Sequence, residues 1–348
     1  MIRRRDGRTA GRPMAALALA GLLLAACEAG PTAPTSEAPR PQPRPEAAIG
    51  ESAEQARIRA ERAERNRAAN AAAVQASAAA SPASRTQRDY YARMEARLLA
   101  QGRLRTDRVP LDAPIDPETL AQNFVQIALR DEYRRDNGAL VADAQPAPLR
   151  RWDRPVRMQL EFGASADVAA QRAVRAEVAD FAGRLASASG HPVTLTGDGG
   201  NFVIMVVTED ERRAMAPRLA QLVPGIPASD LAVLTDLPPA IACTVFAYSE
   251  GANPVYARAV AVIRAELPRL LRNSCIHEEL AQGMGLANDS PAARPSIFND
   301  DEEFALLTRH DELLLRILYD RRLRPGMSEA EALPIVRRIA AELLAAPA

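Results

Sequence analysis

The sequence predicts an α+β domain with a twisted mixed sheet, one helix carrying a polar motif, and helices at the C-terminus. Three observations predict it. Val156, Met158, Leu160 and Phe162 alternate with Arg157, Gln159 and Glu161, the period of a half-buried strand. Further short apolar runs follow, separated by stretches of helix length, as in a sheet with covering helices. The stretch from Glu278 to Asp289 reads as a helix end that turns sharply at Gly285.

The chain opens on a basic segment with Arg3, Arg4, Arg5, Arg8 and Arg12, followed by an apolar run from Met14 to Ala26 that is short for a mature membrane span. It ends in Leu24-Ala25-Ala26-Cys27, which resembles a bacterial lipobox. Residues 1–26 are therefore expected to be a lipoprotein signal peptide, with Cys27 the lipidated residue. The alternative is an ordinary signal peptide or an uncleaved anchor. Several acyl chains on one Cys would hold a soluble domain at a membrane surface. Glu28 follows the Cys, and by resemblance to lipoprotein sorting it points to the periplasmic face of the outer membrane, the inner membrane being the alternative. Residues 27–50 are Pro-rich and are expected to form an extended tether.

Residues 51–110 are expected to be a helical or disordered extension. Its first part interleaves Glu and Arg among alanines, the pattern of an exposed salt-bridged helix. A second helical stretch, 87–101, offers Tyr90, Tyr91, Met94, Leu98 and Leu99 as a docking face. The folded domain is placed at 115–325. Asp116 caps its first helix, with Pro117 at the first helical position. A loop is expected over 136–150 and a long helix over 166–188. Strands are expected at 193–196 and 202–207, joined by a Gly-Asp-Gly-Gly turn. A helix over 209–222 and strands at 240–248 and 256–263 follow, then the motif helix at 267–284. Helices at 311–319, with Asp311 as cap, and at 328–344 end the chain, the latter in a C-terminal segment of 326–348. This order predicts a mainly consecutive sheet.

The formal net charge is +0, so no global field steers nucleic acid to the chain, and nucleic acid is not an expected partner. All 44 basic residues are Arg. An exported domain meets an oxidising compartment, so Cys243 and Cys275 are expected to pair, two buried free thiols being the alternative.

The motif has the spacing of a zinc-protease helix without its ligands. In His-Glu-x-x-His-x-x-Gly-x-x-His, two ligands lie one turn apart and the third follows the glycine turn. Glu278, Gln282 and Asn288 stand at the ligand positions, Glu279 at the general-base position and Gly285 at the turn. Further on, Ser296-Ile297-Phe298 stands where a Ser-Ile-Met turn would lie, with Leu307-Thr308-Arg309-His310-Asp311 and Leu318-Tyr319-Asp320 around the next helix. These segments, in this order, resemble the catalytic domain of metzincin metalloproteases, with Phe298 replacing the usual Met. Ser274 to Glu279, Gly285 to Ser290 and Ser296 to Asp300 also resemble an uncharacterised proteobacterial lipoprotein family, domain of unknown function 2927. The resemblance implies a metzincin-like (zincin) fold and an envelope location.

Oxygens from Glu, Gln and Asn make a poor zinc site, so no zinc cofactor is expected. Two readings of Glu278, Gln282 and Asn288 stay open. They hydrogen-bond one another and nearby backbone, or with Glu279 and Asp289 they offer oxygens to a hard cation such as Ca²⁺. His277 is expected to serve as a capping or ion-pairing residue. The expected function is that of a membrane-anchored, non-proteolytic relative of metzincins that binds a peptide or envelope protein along a sheet edge, with Glu278, Glu279, Gln282, Asn288 and Asp289 on its floor. The alternative is a hydrolase with altered or non-zinc metal chemistry and Glu279 as general base.

Overall fold

The computed structural model describes residues 53–78, 81–136, 139–299 and 301–345. The signal-like segment, Cys27 and the Pro-rich tether lie outside the described residues. The elements in chain order are α1 (Ala53–Ala78), α2 (Pro82–Ala100), α3 (Pro117–Ala128), β1 (Arg130–Asp136), β2 (Ala139–Pro146), β3 (Val156–Phe162), α4 (Val168–Ser189), β4 (Val193–Thr196), β5 (Phe202–Val207), α5 (Glu209–Arg213), α6 (Ala216–Leu222), α7 (Ala228–Thr235), β6 (Cys243–Ser249), β7 (Tyr256–Arg264), α8 (Arg269–Gln282), α9 (Arg309–Leu318) and α10 (Glu329–Ala345).

The main sheet is five-stranded in the order β4-β3-β5-β7-β6. β4, β3, β5 and β7 run parallel, and β6 joins β7 antiparallel at one edge. The sheet is mixed as expected, but its order is not consecutive. β4 and β5 form no hairpin, for they flank β3 on opposite sides. The Gly-Asp-Gly-Gly segment instead carries the chain across the end of β3. A Cβ at Gly200 would lie 2.5 Å from the Gln159 Cβ and 2.9 Å from the Arg157 carbonyl, so the crossing needs a glycine there. The expected loop at 136–150 begins inside a separate β1–β2 hairpin. The single helix expected over 209–222 is two, because Pro217 can sit in the first turn of α6 but not within a continuing helix.

β5 is buried along its whole length, as a central parallel strand between two helical layers should be. Phe202, Ile204 and Val206 face a core shared with α3, α4, α8 and α9. Val203, Met205 and Val207 face a second core with α6 and α7. α2 docks as expected through Tyr91 and Leu98, which are buried, but Leu99 is exposed. The Tyr91 hydroxyl donates to the carbonyls of Pro239 (2.9 Å) and Ile241 (3.1 Å), just ahead of β6. Arg264 holds the same segment from β7, donating to Leu237, Pro238 and Ile241 carbonyls and pairing with Glu209. Burial works to raise the Glu209 carboxyl, but bonds from Arg212, Arg264 and Arg213 outweigh it and draw it down to about 2. Among the described residues no helix is long and apolar enough to cross a membrane.

Candidate functional site

α8 starts after Pro268, where the Glu95 carboxylate of α2 accepts from the Leu271 N–H at 3.0 Å. Leu271, Cys275, Ile276 and Leu280 are buried in the main core. Cys275 is disulfide-bonded to Cys243 at the start of β6, with a Cα–Cα separation of 5.9 Å. The expected pairing is therefore present, and the edge strand is bound covalently to the motif helix.

The helix ends in the expected turn. Gly285 has φ +121°, and a Cβ there would lie 2.5 Å from the Arg150 carbonyl. Two aromatic donors hold the turn. Trp152 Nε1 donates to the Gly283 carbonyl at 2.8 Å, and the Tyr319 hydroxyl donates to the Met284 carbonyl at 2.9 Å. Tyr319 belongs to the Leu-Tyr pair legible after α9, but nothing in the sequence marked Trp152.

The segment Ser296-Ile297-Phe298 lies beneath α8, with Phe298 fully buried. Asp311 organises it. Its carboxylate accepts from the Ser296 hydroxyl (2.5 Å), the Ile297 N–H (3.2 Å), the Thr308 N–H (2.8 Å) and the Thr308 hydroxyl (2.9 Å). Thr308, not Asp311, is the N-cap of α9, and Asp311 is its capping-box partner three residues on. The correction follows from the reach of a carboxylate, which can close a cap and hold a distant turn at once.

The three ligand-position side chains are used differently. Gln282 Nε2 donates to Asp289 Oδ1 at 3.2 Å. Asn288 Nδ2 donates to the carbonyls of Gln126 (2.8 Å) and Asp289 (2.7 Å), and its N–H donates to the Ile127 carbonyl, stitching the post-turn segment to α3. Glu278 is not drawn into that network: among the described residues neither the Gln282 nor the Asn288 amide donates to it. Its carboxyl is raised well above the usual range by burial, then by Asp289 and Glu279, with Glu302 and Glu132 adding to it. Glu279 is buried, and its Oε2 has no hydrogen-bond partner. Burial, then Asp289 and Glu132, push its carboxyl up as well. Among the described residues no group of three His, Cys, Asp or Glu side chains is arranged to hold a metal ion. The site can bind a cation by charge or, once protonated, donate a proton.

His277 stands apart from this acid group. Its Nδ1 accepts from the Leu307 N–H at 3.0 Å, and its ring stacks on Phe181 with centroids 4.0 Å apart. Burial, with Arg184 adding to it, lowers the imidazole to about 3. It is a neutral acceptor rather than the capping or ion-pairing residue expected.

No curated protein matches the chain, and no solved structure does. A family model described as Protein of unknown function (DUF2927) matches residues 117–338, from the first turn of α3 into α10, and the chain belongs to that family.

Proposed function

We propose that this chain is an envelope lipoprotein, anchored through Cys27, whose domain is a metzincin-like scaffold that binds an extended peptide or protein segment without cutting it. The observation that carries the reading is the edge strand β6. It closes the sheet antiparallel to β7, and among the described residues its outer edge pairs with no strand. An exposed ladder edge is a template for an added strand, with main-chain bonds giving affinity and flanking pockets giving choice. The disulfide holds that edge against α8, whose C-terminal turns carry the acid group. This is the arrangement that the resemblance to metzincins implies for peptide binding. Gln282 and Asn288 are already engaged in hydrogen bonds, which favours retention of the bend over retention of a metal cage.

The experiment is metal analysis of the purified full-length protein, a peptidase screen, and binding of extended peptides. Peptide binding without cleavage or stoichiometric metal is expected. Cleavage that is lost in Glu279→Gln would overturn it in favour of a hydrolase, a reading that the buried, unpartnered Glu279 carboxyl supports. Stoichiometric Ca²⁺ would shift the site to hard-cation chemistry.

A further inference from the structure

We infer that the segment bound along β6 carries a basic side chain, an Arg or Lys, whose cationic head seats on Glu279 and Glu278. The inference rests on the edge-binding reading above and names the chemistry that the edge selects. Cys275 faces β6, since its disulfide partner begins that strand. Residues three and four further along a helix share a face, so Glu278 and Glu279 lie one turn beyond Cys275 on the side toward the edge strand. A strand added to β6 would run about 4.8 Å from it. Its alternate side chains would then reach the end of α8.

What the Glu279 carboxyl lacks at Oε2 is a donor. Glu279 is only 5% exposed, yet its Oε2 has no hydrogen-bond partner among the described residues, and Glu278 stands beside it on the same turn of α8. Buried polar atoms are rarely left so without a ligand or an exchange of partners. Asp289, across the Gly285 turn, acts electrostatically on both carboxyls. A guanidinium or ammonium group supplies the missing donor and the opposite charge together. A metal ion fits less well, because no three such side chains among the described residues converge as ligands.

The test uses full-length protein in detergent and calorimetric titration. The probes are blocked ten-residue peptides of alternating Val and Thr, each with one Arg placed in turn along the peptide. Each is paired with a citrulline analogue of the same shape and with an analogue N-methylated at alternate backbone nitrogens. At the matching position Arg is expected to bind about tenfold or more tighter than citrulline, the effect of a charge-assisted hydrogen bond. Glu279→Gln is expected to bring that ratio close to one. Glu278→Gln is expected to lower it and serves if the first variant does not fold. Equal binding of Arg and citrulline peptides, with loss on N-methylation, overturns the inference and leaves edge binding standing. Binding indifferent to N-methylation, or no binding by any peptide, removes both.

Discussion

The Ser296 hydroxyl donates to the Asp311 carboxylate at 2.5 Å, joining the turn beneath the motif helix to the first turn of α9. Two sequence segments that looked like separate matches are thus one hydrogen-bonded unit. Asp311 also accepts from Ile297 and Thr308, so a single buried carboxylate closes both. Ser296→Ala should cost about 1–2 kcal/mol, and Asp311→Ala more, because it strands several buried donors. Urea unfolding of both single variants and the double variant checks this. A coupling below about 0.5 kcal/mol would mean the two groups do not act together.

Acid should weaken the protein through His277. An unfolded imidazole binds its proton below the ordinary value of 6.5, whereas the folded one resists down to about 3. The unfolded state therefore holds more protons between those values. The stabilisation is complete above 6.5 and is lost as pH falls toward 3, at up to about 1.4 kcal/mol per pH unit. His277→Asn keeps an acceptor for the Leu307 N–H and does not titrate. Its stability–pH curve should be flatter over this window, and an unchanged slope would rule out the assignment.

Glu279 should act with the opposite sign. Its folded carboxyl is raised, so the unfolded chain gives up its proton first as pH rises above about 4.5. Stability contributed by the protonated form is present at low pH and lost as pH rises toward the folded value. Glu279→Gln removes that loss. The variant should be more stable than the parent at pH 8 by about 1 kcal/mol or more, with no gain at pH 4, as thermal unfolding at both values would reveal.

The Cys243–Cys275 bond closes a chain separation of 32 residues. Loop-closure entropy gives such a link about 3–4 kcal/mol. A Cys243→Ser, Cys275→Ser double variant should lose roughly that much in denaturant unfolding. It should also lose peptide binding at the edge more steeply than it loses overall stability.

Gly285→Ala should cost about 2–4 kcal/mol, since it combines an unfavourable φ with a Cβ 2.5 Å from a backbone carbonyl. Thermal unfolding checks it, and a neutral outcome would mean that the turn reshapes freely.

Local pattern made the strands at 193–196 and 202–207 legible, because apolar runs and turn residues are local signals. Their pairing was not legible. A hairpin and a crossover around β3 present the same short sequence, and only the distant contact of Gly200 with Gln159 separates them. β1 was hidden because Arg130 to Asp136 is almost wholly charged and carries no alternation. In the site, the turn at Gly285 could be read from spacing, and the cysteine pair from the export that the N-terminal segment leads one to expect. The part of Trp152, the acceptor state of His277 and the stranded oxygen of Glu279 depend on residues far apart in the chain, so no local pattern announces them.

The clamp of Trp152 and Tyr319 on the carbonyls after α8 separates architecture from reactivity. The bend is fastened from outside by rings rooted in β3's approach and in the end of α9, and from within by the Gln282–Asp289 bond, while the Glu278 and Glu279 carboxyls supply none of these links. A change of side chain at 278 or 279 can therefore leave the backbone beneath it on its course, and the chemistry offered at this turn can be altered without unmaking the turn.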